Sequence, residues 1–184
     1  MTAPARRLGL VGGECTGKST LALALNAALG GCLVEEVLRE FVNTRGRPPT
    51  SDEQAGIMRT QQHREDRIAR ACPSGIVIAD PAVLMTAIYS ITYFDDDSLV
   101  DAAVASTANY DLLIWCGIDV PWEPDGPQRD GPEYRLREHE IVGRIVAERL
   151  LPTGIAVLPV TGPLDQRLEA ARRAWQPGPP QPPT

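Results

Sequence analysis

The sequence predicts an α/β fold, a five-stranded parallel sheet with helices on both faces. Three observations predict it. Short apolar, β-branched runs alternate along the chain with longer stretches of helix formers. The first run ends in a glycine-rich loop that opens directly into a helix. Two later runs stop on acidic residues, at the strand ends where open parallel sheets bind their ligands.

The elements follow in order. Leu8-Gly9-Leu10-Val11 is short and apolar, as a buried strand is. Next comes Gly12-Gly13-Glu14-Cys15-Thr16-Gly17-Lys18-Ser19-Thr20, which reads G-x-x-x-x-G-K-S, the phosphate-binding P-loop. The run from Ser19 to Leu29 is rich in Ala and Leu and closes on Gly30-Gly31, as a helix does. Glycines let the loop turn its N–H groups around phosphate oxygens, and the helix N-terminus adds its positive end. Lys18 then reaches the β- and γ-phosphates, and the Ser19 hydroxyl can join a Mg²⁺ shell. Lys18 is the only lysine in the chain; the other 17 of the 18 basic residues are arginines. A compact ammonium fits a narrow ring of phosphate oxygens where a planar guanidinium does not. The lone lysine also disfavours a GTPase, whose Asn-Lys-x-Asp motif needs a second one.

Cys32 to Glu35 reads as the second strand, and Val37 to Val42 as a short helix. Thr50 or Ser51, with Glu53 or Gln54 three residues on, makes a capping box for a helix to about Ala71. The middle of that helix, Arg59 to Arg67, is polar all round: a solvated face, or the border of a polar cleft. Ser74 to Asp80 is a strand ending on an acid, the Walker B pattern, so Asp80 can hold Mg²⁺ across from the P-loop. Asp80 equally suits the N-cap of a helix from Pro81 to Tyr93. Asp95-Asp96-Asp97 reads as a solvated turn before a helix from Ser98 to Thr107, and Tyr110 to Cys116 as the fourth strand. Asp119 to Gly131, rich in Pro, Gly and charge, is by position a lid or substrate loop. A helix from Pro132 to about Leu150, a strand from Gly154 to Val160 and a helix from Pro163 to Trp175 complete the domain, residues 1–175. The proline-rich tail 176–184 cannot join a core.

The chain's 184 residues suit one core, and a net charge of −6 argues against nucleic-acid binding. No run reaches membrane-spanning length and no apolar signal segment precedes the first strand. A cytoplasmic protein with reduced thiols at Cys15, Cys32, Cys72 and Cys116 is expected, rather than two disulfides.

Beyond the P-loop the chain resembles the nicotinamide riboside kinase domain of the NadR type, within the wider group of P-loop ATPases built like it. The likeness runs over nearly the whole chain. It rests on Gly12-x-Glu14-Cys15-Thr16-Gly17-Lys18-Ser19-Thr20, on Glu36-x-x-Arg39-Glu40-Phe41, and on Asp80 with Thr86. It continues through Tyr110-Asp111-Leu112, Asp119-x-Pro121-Trp122-x-x-Asp125-Gly126-x-x-Arg129, and Gly162 with Arg167. The resemblance implies a three-layer P-loop NTPase sandwich like that of nucleoside and nucleotide kinases. It implies a kinase that moves the γ-phosphate of ATP, with Mg²⁺, to the 5′-hydroxyl of a small ribonucleoside. The adenylyltransferase half of the bifunctional proteins is expected to be absent. Where the family has Asp-Thr-Asp this chain has Asp80-Pro81-Ala82, which removes an acid from the reach of a ribose hydroxyl, and Val37 replaces an aromatic residue.

The implied roles are as follows. Arg129 closes over the transferred group, with Arg135 and Arg137 as weaker candidates. Glu36 or Asp80 accepts the hydroxyl proton or holds the ribose, and Arg39 pairs with an acid or a phosphate. Trp122 stacks on the acceptor's base and Asp125 belongs to the same substrate loop. Gly162 lets the chain pass close to adenine, and Arg167 stacks there or pairs with an acid. Trp115 is core, and His63 and His139 are exposed. An ATP-binding regulatory module with little phosphotransfer is the competing reading.

Overall fold

The computed structural model describes residues 4–122 and 131–175. Five strands form one parallel sheet: β1 (Arg6–Val11), β2 (Cys32–Glu35), β3 (Ile76–Asp80), β4 (Leu112–Cys116) and β5 (Val157–Val160), in the order β2-β3-β1-β4-β5. β1 is central because both its faces are apolar: Leu8, Leu10 and Val11 have no exposed surface. Gly9 in its middle is a close-approach glycine, since a Cβ there would lie 2.8–2.9 Å from Leu113, Ala82 and Tyr110.

Two helical layers cover the sheet. Helices α1 (Lys18–Leu29) and α7 (Leu164–Ala174) pack on the face formed by Leu8, Leu10, Ile78, Leu112 and Ile114. The other face, with Val11, Val77, Ala79 and Leu113, is covered by α3 (Ser51–Ala71), α4 (Leu84–Phe94) and α6 (Pro132–Ile145), with α5 (Val100–Ser106) beside α4. The short α2 (Val37–Arg45) joins β2 to α3. The three-layer sandwich expected from the sequence is therefore the fold. Among the described residues, no helix is long and apolar enough to cross a membrane.

Local sequence explains most boundaries. α1 ends at Gly30, whose φ of 66° allows its N–H to bond the Asn26 carbonyl. α3 starts on the Thr50–Glu53 capping box, and Arg47 grips the same Glu53 carboxylate with two bonds of 2.8 Å. α6 continues through a wider π-turn at Val146–Leu150. Arg6 lies 3.9 Å over the Trp175 ring and fastens the end of α7 to the first strand.

Four expectations are corrected. The helix after β3 begins at Leu84, three residues beyond Pro81, so Asp80 does not cap it; the Asp80–Pro81 peptide is cis and Ala82 N–H bonds the Leu10 carbonyl at 2.9 Å. Cys32 and Cys72 form a disulfide, because the start of β2 and the residue capping α3 come within 6.0 Å of each other at Cα; Cys15 and Cys116 are free. The polar middle of α3 is a solvated face on its outer side, where Arg59, Thr60, His63 and Arg67 are exposed, but its inner side is no cleft wall, since Gln61 and Glu65 are buried structural groups. His139 is half-buried, its ring 4.9 Å from Trp115, because the π-face of this strand residue reaches the inner side of α6.

Candidate active site

All five strands point their C-terminal ends to one edge, and the loops there carry the candidate residues. The order β3-β1-β4 puts Asp80, the P-loop and the Cys116–Asp119 turn side by side, with Glu36 one strand further out. Glu35 is in register with Asp80 across β2 and β3, so Glu36 leaves the sheet next to it.

The P-loop needs its glycines. Gly12 (φ 144°) and Gly17 (φ 78°) have backbone angles that side chains resist, and a Cβ on Gly12 would also meet the Cys116 carbonyl at 2.8 Å. Cys15 takes φ 51° without being glycine. The Thr16 hydroxyl bonds the Gly13 carbonyl at 2.8 Å and closes the loop on itself. Lys18 Nζ donates to the Gly12 and Gly13 carbonyls, both at 2.7 Å. Two of its three protons are thereby spent on orientation, and the third is left for a ligand.

Glu36 stands before the first turn of α2, mostly buried, with Arg39 Nη2 3.5 Å away. Burial raises its carboxyl above the ordinary range, opposed by Lys18 and Arg39. Arg39 itself is largely exposed, so its pairing with an acid is a loose one. α2 is held from behind: the Val37 N–H bonds Gln61 Oε1 at 2.9 Å, while Arg64 pairs with Glu40.

The turn after Asp80 is fixed by a buried polar chain that the sequence reading missed. Tyr110 Oη accepts the Val83 N–H at 3.0 Å and donates to the Glu65 carboxylate at 2.8–2.9 Å. Burial raises Glu65 to about 7, against the pull of Tyr110, Gln61 and Arg7. Ala82, 1% exposed, packs beneath β1, so position 82 does not open on the cleft. The acid missing from Asp80-Pro81-Ala82 is thus replaced by a residue that belongs to the core.

On the other side of the P-loop a cavity of about 280 Å³ is lined by Cys15, Gly17, Thr20, Val120, Pro121, Gly162, Leu164 and Arg167. Gly162 (φ 87°) is required there by its backbone. Arg167 is 2% exposed, and each of its nitrogens has an internal partner at 2.7 Å: Nε on Gly162 O, Nη1 on Thr16 O, Nη2 on Asp119 Oδ1. It therefore pairs with an acid rather than stacking on a base. Asp119 completes the bracket by accepting the Gly162 N–H at 2.6 Å. Burial pushes the Asp119 carboxyl up, but that amide and Arg167 outweigh it and hold it below its usual range. Cys116, at the end of β4, has its thiol pushed up to about 11 by burial and is inert.

α6 brings in a group the sequence did not mark. Glu138 has no exposed surface and accepts the Glu14 N–H at 2.8 Å, while Arg135 Nη1 bonds the Val120 carbonyl at 2.8 Å. Arg137 is turned away and pairs with Asp95. Trp122 is half-buried beside the cavity wall formed by Val120 and Pro121. Asp125, Gly126, Arg129 and the tail 176–184 lie outside the described residues. Among the described residues no cluster of three or more acidic, histidine or cysteine side chains forms a ready-made metal cage. Ser19 and Asp80 flanking the phosphate loop suit Mg²⁺ instead, which takes one or two protein ligands and draws the rest from phosphates and water.

A family model described as an AAA domain matches residues 7–167. A comparison with curated proteins finds no match. Among solved structures, the chain is similar to NadR protein in complex with NR (TM-score 0.72, 22% identity, 92% of this chain and 50% of that one). It is similar to NadR protein in complex with NAD and AMP-PNP (0.72, 20%, 98% and 52%). A thymidylate kinase from Ehrlichia chaffeensis also matches (0.66, 16%, 95% and 100%). These likenesses show the fold, the P-loop sandwich of nucleoside and nucleotide kinases. The chain spans about half the length of the NadR structures it matches.

Proposed function

This chain belongs to the AAA domain family, and we propose, on the fold it shares with nucleoside and nucleotide kinases, that it is an ATP-dependent small-molecule kinase. One observation carries the reading. Lys18 is oriented by the Gly12 and Gly13 carbonyls at a loop flanked on one side by a cavity sized for a base and on the other by Glu36 and Asp80. A donor site and an acid-lined acceptor site thus meet at the phosphate loop.

In this reading adenine enters the cavity beside Gly162, and Arg167 with Asp119 holds the cavity's floor. The loop amides and the free proton of Lys18 hold the β- and γ-phosphates. Ser19 and Asp80 would hold Mg²⁺, which neutralises charge on the phosphate oxygens when bound. Glu36 takes the acceptor's hydroxyl proton; its raised carboxyl makes it a better base than an ordinary carboxylate. The acceptor oxygen then bonds to the γ-phosphorus as the bond to the β-bridging oxygen breaks, and ADP leaves. Arg39 balances Glu36, and the roles of Trp122, Asp125 and Arg129 toward the acceptor and the transferred group rest on the family resemblance.

The acceptor we propose is the 5′-hydroxyl of a ribonucleoside, with nicotinamide riboside first, which would place the enzyme in NAD salvage. The family resemblance and the fold shared with NadR protein bound to NR support this. A cytoplasmic setting goes with it, since ATP is supplied there. The test is acceptor-dependent ADP release from ATP and Mg²⁺ across nicotinamide riboside, common ribonucleosides and vitamin-like alcohols. One acceptor should give turnover that disappears in Lys18→Ala. ATP binding without turnover on any of them would instead favour a regulatory module.

A further inference from the structure

Among the described residues three charged side chains are buried: Glu65 serves the scaffold, while Arg167 and Glu138 each touch the phosphate loop itself. Its Oε2 takes the Glu14 N–H at 2.8 Å, and its Oε1 has no hydrogen-bond partner among the described residues. The packing around it is tight. A Cβ on Gly13 would lie 2.8 Å from the Arg135 carbonyl and 3.2 Å from Glu138 Oε2. The first turns of α6 therefore rest directly on the crest of the loop. One helical turn before Glu138, Arg135 holds the Val120 carbonyl, and Val120 lines the cavity together with Cys15 and Gly17.

A P-loop works by presenting its amides to phosphate in one arrangement. An amide at the crest that is left free can rotate, and its neighbours rotate with it. We propose that Glu138 is a positioning residue for the nucleotide. By binding the Glu14 amide it fixes the crest of the P-loop, sets the amides that follow toward the phosphates, and yokes the loop to α6. Through Arg135 the same helix fixes the cavity wall at Val120, so phosphate and base subsites share one support.

Burial raises Glu138 to about 7, with Lys18 and the Glu14 amide pulling the other way. A carboxyl in that position keeps Oε2 as an acceptor in either protonation state. Reach, rather than charge, is then what the loop requires of residue 138.

This inference rests on nucleotide binding at the P-loop and not on the acceptor's identity. Its test is the dissociation constant for ATP and for ADP, by calorimetry without acceptor, in the parent and in Glu138→Gln, Glu138→Asp and Glu138→Leu, with melting temperatures alongside. Gln keeps an acceptor at the same reach and should bind within about threefold of the parent. Asp, one methylene short, and Leu, without an acceptor, should each bind about tenfold more weakly, the scale of one amide hydrogen bond. If Leu does not fold, the contrast between Gln and Asp decides. Parent-like binding by Asp and Leu would overturn the inference, as would Gln binding as poorly as Leu. A parent that binds no adenine nucleotide would overturn the P-loop reading itself.

Discussion

Replacing Arg167 with Met keeps the buried stem and removes every donor. Three contacts are lost, and they are unequal. The Thr16 carbonyl belongs to a residue only 1% exposed and is left without its 2.7 Å partner, a loss of about 1–3 kcal/mol. Asp119 keeps the Gly162 amide, and its side chain is 37% exposed, so water screens the broken ion pair and the loss is about 0–1 kcal/mol. The half-exposed Gly162 carbonyl adds about 0.5 kcal/mol. Urea unfolding should therefore show a destabilisation of roughly 2–4 kcal/mol. ATP binding should weaken about tenfold at a temperature where both proteins are folded, because the Thr16 carbonyl anchors the loop from behind. A variant within about 0.5 kcal/mol of the parent and equal to it in ATP affinity would refute the bracket.

Three further outcomes follow from the same geometry. Glu36→Gln should lower kcat about 10²–10⁴-fold with little change in KM for ATP. Since burial raises the Glu36 carboxyl, the parent's kcat/KM should fall on its acid side at a pH above the ordinary carboxylate range, and identical pH profiles for parent and variant would remove Glu36 as the base. Glu65, raised from 4.5 to about 7, binds its proton more tightly folded than unfolded, so its contribution to stability is complete below pH 4.5 and is lost as pH rises toward 7. In Glu65→Gln the stability difference between pH 5 and pH 8, measured by urea unfolding, should narrow by up to about 3 kcal/mol, and an unchanged difference would contradict the buried acid. Removing the Cys32–Cys72 bridge by a double Ser substitution frees a loop with a sequence separation of 40, a loss of about 4 kcal/mol on a chain-entropy account. Dithiothreitol should then lower the melting temperature of the parent and leave the variant's unchanged; an insensitive parent would show that the bridge does not form.

What was legible in the sequence is what local spacing encodes. The P-loop, the Thr50–Glu53 capping box and the Gly30 stop each lie within a few residues, and the structure reproduces all three. The strand ends that carry Asp80 and Glu36 were legible too, since an apolar run that stops on an acid marks its own boundary. The groups that were missed depend on partners far along the chain. Glu65, Gln61 and Glu138 sit in polar helical stretches that look solvated until Tyr110, α2 and the P-loop fold over them. The cysteine pair is 40 residues apart and meets only because the end of α3 returns to the start of β2. Arg167 could be placed near the base cavity but not in its bracket, because its partners Thr16 and Asp119 come from two other loops. The early start expected for α4 failed because Pro81 and Ala82 are used to pass beneath β1.

The central claim is phosphoryl transfer at the P-loop to a small hydroxylated acceptor. Coupled measurement of ADP release, with mass analysis of the acceptor, tests it most directly. The prediction is that nicotinamide riboside or another ribonucleoside gains one phosphoryl group per ADP formed, and that Lys18→Ala forms neither product. Acceptor-independent ADP release, or phosphorylated acceptor at parent level in Lys18→Ala, would contradict it.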